Sequence, residues 1–200
     1  MKVVITGYSK IISTSADSVF MHVKSRIIKV RPVHALDTLI ISAIGELLDC
    51  AGVTYPVKND NIGLFIGIDD SIEEIKNEYF SNIVKDGMMG VSPLLFPFTS
   101  PNALAAQVSI AFDLRGECIT LPVKNSLKNV IDYGSECIVH KYSKAAIAGS
   151  ILKNKVEQFP DKAFTAEFLF LEQTESAVIR KHPFIPLTED IKIDESIWKN

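Results

Sequence analysis

Short apolar runs of strand length alternate along this chain with longer stretches whose apolar residues recur at helical spacing. That alternation narrows the fold more than any other feature. Residues 3–8 (VVITGY) form a β-branched run ended by turn residues, and Pro32 marks a later break. Leu36, Leu39, Ile40, Ala43, Ile44, Leu47 and Leu48 predict a helix over 36–50, with Asp37 as its cap and Gly52 just past its end. Residues 61–69 (NIGLFIGID) read as a buried strand and 71–84 as an acidic amphipathic helix. Pro93, Pro97 and Pro101 forbid regular helix between them. A helix over 102–112, a strand over 118–123 and a helix over 126–140 follow. Strands over 145–150 and 163–173 and a short helix over 174–182 complete the series. Strands alternating with helices imply a layered α/β domain over residues 1–182, with a five-stranded, mostly parallel sheet flanked by helices. Residues 183–200 are polar and proline-interrupted, which predicts an extended tail.

Composition excludes several classes. With 200 residues, 47% hydrophobic and 22% charged, the chain can build a real core and is not a disordered segment. A formal charge of −3 gives no basic field for a phosphate backbone, so no nucleic-acid partner is expected. The longest apolar stretch, LIISAI, is broken by Gly45, Glu46 and Asp49, far short of a bilayer span. The N-terminus reads as a strand rather than a signal peptide, and the three scattered cysteines suit a reducing, cytoplasmic setting. None of the four histidines shares a helical face with another His or Cys, so neither a metal nor another cofactor is expected.

The segment GECITLPVKNSLKNVI, residues 116–131, runs from a strand through a tight turn into a helix. Such a turn is where several enzyme architectures hold a nucleophile. Here it offers Lys124, Asn125 and Ser126, with the nearest cysteine back in the strand at Cys118. An amide is not nucleophilic, and an amine is protonated at its ordinary pKa. Ser126 has no base beside it in the sequence and reads first as an N-cap for the following helix.

The ordered set of segments resembles the N-terminal half of a β-ketoacyl synthase, a thiolase-like fold. VVITGY is similar to the family's first strand, ALDTLIISAIGELLDCAGV to its first helix and NIGLFIGID to its second strand. VSPLLFPFTSPNALAAQVSIAFDLRGECIT carries the family's Ser-Pro, Phe-Pro, helix-opening Asn and L-R-G before the nucleophile strand. KAAIAGS is similar to the strand ending Ala-Gly-Gly, and AEFLFLEQTESAVIRKH to the strand and helix that close this half. The resemblance covers about residues 1–182.

The departures from the pattern concern chemistry. Counting from Gly116, the family's nucleophilic cysteine falls on Asn125, or on Lys124 if a one-residue deletion precedes the turn. The family's catalytic histidines belong to a C-terminal half that has no counterpart in these residues. Decarboxylative condensation needs an electrostatic partner for the developing carbonyl anion, and none is visible. The stretch 150–163 is shorter than the family's, and the opening loop reads GYS with Ser9 in place of a glycine.

The resemblance therefore implies a non-catalytic subunit. Ketosynthases dimerise through the strand matching 118–123, so Cys118, Ile119, Thr120, Leu121 and Asn102 are expected at the dimer interface. The loop matching 94–99 reaches over the partner's acyl pocket, which points to Leu95, Phe98 and Thr99 as residues lining it. The implied partner is an active β-ketoacyl synthase in a heterodimer, and through it an acyl carrier protein. Within the family the chain resembles the small chain-length-factor-like proteins of aryl-polyene-type systems. A purely stabilising partner, or a stand-alone acyltransferase using Lys124 or Ser126, are the other readings. A half fold should also expose apolar surface where further structure would pack, leaving the chain prone to aggregate alone.

Overall fold

The computed structural model describes residues 2–28, 30, 32, 34–58, 61–69, 72–87, 89–93, 95–122, 127–153, 164–188, 193 and 197. Within these, one sheet contains β1 (Val3–Ile12), β2 (Ile62–Ile68), β3 (Cys118–Pro122), β4 (Ala145–Lys153), β5 (Phe164–Gln173) and β6 (Ile185–Pro186). Their order across the sheet is β3-β2-β4-β5-β1-β6. β2 pairs in parallel with β3 and β4, whereas β5 is antiparallel to both β4 and β1, and β6 is antiparallel to β1. Strands β1 to β4 therefore all point one way, with β5 and β6 opposed, as a mostly parallel sheet requires. The five expected strands are present. The sixth is a correction: Ile185 and Pro186 pair with Ile5 and Val4, so the tail begins as an edge strand. Proline has no N–H for a ladder, and an edge tolerates that.

Among the described residues six helices cover the two faces: α1 (Ala16–Val23), α2 (Ala35–Cys50), α3 (Glu73–Asp86), α4 (Asn102–Phe112), α5 (Leu127–Val139) and α6 (Thr174–Arg180). Side chains of the central strands alternate between the faces, as the period of two dictates. Leu64, Ile66, Ile147, Phe168 and Phe170 enter the core with α2 and α4. Phe65, Ala146, Ala148, Leu169 and Leu171 enter the second core, under α5. All seven residues of β2 are buried, which is why its sequence is a continuous apolar run rather than an alternating one.

Helix α2 is apolar nearly all round because it is enclosed, by the sheet on one side and by α1 and α4 on the others. Each of its fully buried Leu and Ile side chains contributes about 1.5–3 kcal/mol. Its cap is His34 rather than Asp37. The Leu36 amide donates to His34 Nδ1 at 3.3 Å, and Asp37, at the third helical position, accepts from the His34 amide at 3.1 Å. The two residues form a reciprocal capping box in which histidine takes the usual Ser or Thr place.

Helix α1 was not foreseen. It has only eight residues, and tertiary contacts hold it: Val23 packs on Gly45 of α2, and Ser42 Oγ donates to the Ala16 carbonyl at 2.9 Å. Strand β1 likewise continues past the expected Tyr8 to Ile12, because β5 pairs along its whole length. The stretch bounded by Pro93 and Pro101 contains one short 3-10 turn, Phe96–Thr99.

Candidate functional site

A cleft of about 300 Å³ opens at the carboxyl ends of β2 and β3. The chain leaves β2 toward α3 and α4 on one face and leaves β3 toward α5 on the other. Parting connections of this kind leave a crevice beyond the strand ends, where α/β folds hold their ligands. Asp69, Glu73, Lys76, Asn102, Thr120 and Leu121 are among its lining residues. Three of the expected interface residues, Asn102, Thr120 and Leu121, thus meet in one place.

The polar groups here are mostly engaged. Lys76 Nζ sits 3.0 Å from Glu73 Oε1, and Asp69 Oδ2 accepts from the Lys153 amide at 3.2 Å. Thr120 differs: its Oγ1 is buried and has no hydrogen-bond partner. Among the described residues lining the cleft there is no cysteine or histidine to act as nucleophile or base. Lys124, Asn125 and Ser126 lie outside the described residues, so the turn itself is known here only from sequence.

Strand β3 is the sheet's bare margin. It pairs with β2 alone, and none of its five residues is fully buried. Ile119 and Leu121 are half-buried against the second core, while Cys118 and Pro122 are exposed at its ends. Amides of alternate residues along 118–121, those not turned to β2, present an open ladder to any strand brought alongside. The Cys118 thiol is pushed above its ordinary range by desolvation, although the residue as a whole is exposed. Burial, then the nearby Glu117 carboxylate, pushes the Cys137 thiol up to about 11. Neither favours the reactive thiolate.

The loop before α4 divides the three pocket candidates. Phe98 is 6% exposed and belongs to the chain's own core. Leu95 is half-buried, and Thr99 uses its hydroxyl to donate to the Phe96 carbonyl at 2.7 Å, closing the turn. The side chain this turn projects is Phe96, 62% exposed. It touches Tyr79 of α3, ring centroids 5.9 Å apart, and Tyr79 in turn meets Phe80. Sequence reasoning missed this cluster. The signal available was the adjacent pair of aromatics on a helix otherwise rich in charge.

The outer side of the second core mixes polar and apolar residues, with Tyr133 and Val139 of α5 partly exposed. The face of α5 turned from the sheet carries Lys128, Asp132 and Glu136, and Leu187 and Ile193 of the tail pack against the core beneath. Among the described residues no group of His, Cys, Asp and Glu could hold a metal ion, and no helix is long and apolar enough to cross a membrane.

Comparison with known proteins agrees with this geometry. Residues 3–154 match the family described as "Beta-ketoacyl synthase, N-terminal domain". No curated protein matches the chain by sequence. Among solved structures, the ishigamide ketosynthase/chain length factor superposes with a TM-score of 0.67 at 18% identity, over 94% of this chain and 65% of its own. AntDE:AntF, a type II PKS acyl-carrier protein in complex with its ketosynthase bound to the hexaketide, gives 0.69 at 12% identity, over 92% and 60%. A β-ketoacyl synthase from Burkholderia phymatum gives 0.64 at 15%, over 92% and 62%. The fold is shared throughout. This chain spans less than two thirds of the length of each.

Proposed function

The chain belongs to the β-ketoacyl synthase N-terminal domain family, and from that premise we propose that it is a non-catalytic subunit pairing with an active β-ketoacyl synthase. In that role it shapes the partner's acyl pocket, as a chain-length factor does, in polyketide- or fatty-acid-type biosynthesis of the aryl-polyene kind. The observation that carries the reading is the bare edge of β3, half-apolar and beside the cleft at the strand ends. An uncovered edge of this sort calls for a pairing strand. Sequence supports the loss of chemistry, since Lys124 or Asn125 stands where the family's nucleophile would fall. That one of the solved relatives is a ketosynthase/chain length factor, and another a ketosynthase with its carrier protein, supports the choice of partner.

The test is co-expression with an active β-ketoacyl synthase, followed by product analysis. The pair should co-purify, and Leu95→Ala should lengthen the product made by complexes shown to be intact. Failure to co-purify would remove the partner reading altogether. One observation favours a second reading, a stabilising partner without influence on product: Phe98 packs into this chain's own core. Unchanged products from intact Leu95→Ala complexes would select it.

A further inference from the structure

We infer that the hollow beside α1 binds a fatty-acid carboxylate, with Lys24 meeting the head group and an apolar floor taking the chain. This site is independent of the pairing with a ketosynthase. The hollow measures about 530 Å³, within the range of small-molecule sites, and is lined by Phe20, Met21, Lys24, Ser25, Ile27 and Val30. Phe20, Ile27 and Val30 are half-buried and pack on the first core, so the floor is apolar and continuous with that core. Met21, 67% exposed, stands at the edge, an unbranched side chain able to settle over a bound chain.

The hollow is preformed. The Lys24 amide donates to the Phe20 carbonyl at 2.8 Å, closing the last turn of α1. Just beyond, Arg26 donates to both carboxylate oxygens of Asp49 at 2.7 and 2.6 Å and lies over the Tyr55 ring, 4.5 Å from its centroid. The Ile28 amide donates to the Ala111 carbonyl at 2.9 Å. Pinned on both sides of Ile27, the segment keeps that side chain in the wall. A site shaped before its ligand arrives spares the cost of ordering it.

Charge selects the ligand. Lys24 Nζ stands 5.9 Å from the centroid of the Phe20 ring, beside the floor, and makes no ion pair among the described residues. Arg26 is spent on Asp49. Glu46 and Asp49 line a different hollow, with Ser18 and His22 on the opposite flank of α1. Asp17 shares the stripe of Lys24 but lies two turns before it. The surrounding sequence has the same sign: residues 18–36 contain Lys24, Arg26, Lys29 and Arg31 but no Asp or Glu, in a chain of formal charge −3. An unpaired ammonium beside an apolar floor complements an amphiphile of opposite charge. A carboxylate there would accept from Lys24 Nζ and the Ser25 hydroxyl while its chain covers Phe20, Ile27 and Val30. An apolar side chain of another protein would fill the floor and leave the ammonium unanswered.

The test is calorimetric titration of the full chain with decanoate, acetate and decanol, with melting curves recorded for every variant. Decanoate should bind at a single saturable site, acetate should not bind, and decanol should bind roughly tenfold more weakly than decanoate. Between hexanoate and decanoate, affinity should rise roughly twofold or more per methylene. Lys24→Glu should weaken decanoate roughly tenfold or more and leave decanol unchanged, whereas Met21→Asp should weaken both. Neither substitution should shift the melting temperature, since both side chains are exposed. Val178→Asp on α6, an exposed apolar site at 58%, should change neither affinity. Absence of saturable decanoate binding, or unchanged affinity in Lys24→Glu, refutes the site. If the chain instead sediments with phosphatidylglycerol vesicles and decanoate does not displace it, the hollow is a membrane contact and the assignment is overturned.

Discussion

Gly45 of α2 faces Val23 of α1 so closely that a Cβ on the glycine would stand 2.7 Å from Val23 Cγ1 and nearer still to Cγ2. Valine is stiff at χ1 and cannot swing clear, so the helices would have to part. Gly45→Ala should destabilise the chain by about 1–3 kcal/mol despite alanine's better helix propensity. Val23→Ala, introduced together with it, should restore part of the loss. Urea denaturation of the two single variants and the pair reads both effects, and simple additivity would refute the contact.

Phe98 and Phe96 should differ in what they contribute to stability. Removing the buried ring in Phe98→Ala leaves a cavity and should cost roughly 3–5 kcal/mol in the isolated chain. Phe96→Ala should move isolated-chain stability by no more than about 0.5 kcal/mol. Equal losses from the two would mean the turn is not oriented as described.

Glu172 is buried in β5 and paired with Arg180 of α6, whose second Nη donates to the Ala51 carbonyl at 2.8 Å. This single side chain ties α6 to the sheet and to the end of α2. Arg180→Met leaves an uncompensated carboxylate. The loss should be roughly 2 kcal/mol, below the ~3–5 of a fully buried pair because the guanidinium side is a third exposed. Glu172→Gln in the Arg180→Met background should recover stability, and a further loss would contradict the pairing.

Tyr55 should titrate apart from an ordinary phenol. Burial, and then the negative charge of Asp49, push it up to about 12, with the nearby Arg26 opposing. A raised phenol pKa means the fold favours the neutral ring. Its contribution is whole below the unfolded value near 10 and fades as pH rises through about 12. Ultraviolet difference titration of the five tyrosines should show a phase near 12 that Tyr55→Phe removes. Between those values, wild type should lose stability more steeply than the variant.

Much of the fold was legible because its central elements are written in unbroken pattern. The run from Ile62 to Ile68 can only be a strand covered on both faces, and α2 can only be an enclosed helix. What escaped depends on tertiary contact. In α1 the residues Ala16, Val19, Phe20 and Val23 recur at helical spacing, but eight residues are too few to declare a helix by themselves, and it holds its shape through Val23 and Ser42. His34 becomes a cap only because its ring folds back onto the Leu36 amide. At the site, Asn102, Thr120 and Leu121 were singled out through the family resemblance, as interface residues, and the fold gathers them at one cleft. Which phenylalanine of the pair flanking Pro97 points outward could not: both are apolar, and a 3-10 turn, not a strand or helix period, decides it.

The placement of β1 between β5 and β6 governs how the chain must be made. Its strand partners, Thr165 through Gln173 and then Ile185, leave the ribosome some 150–180 residues after it does. At about 5–20 residues per second, the first strand waits on the order of ten to thirty seconds with its ladder unfilled. Throughout that interval the nascent chain carries one of its more apolar segments without the two strands that flank it in the finished sheet.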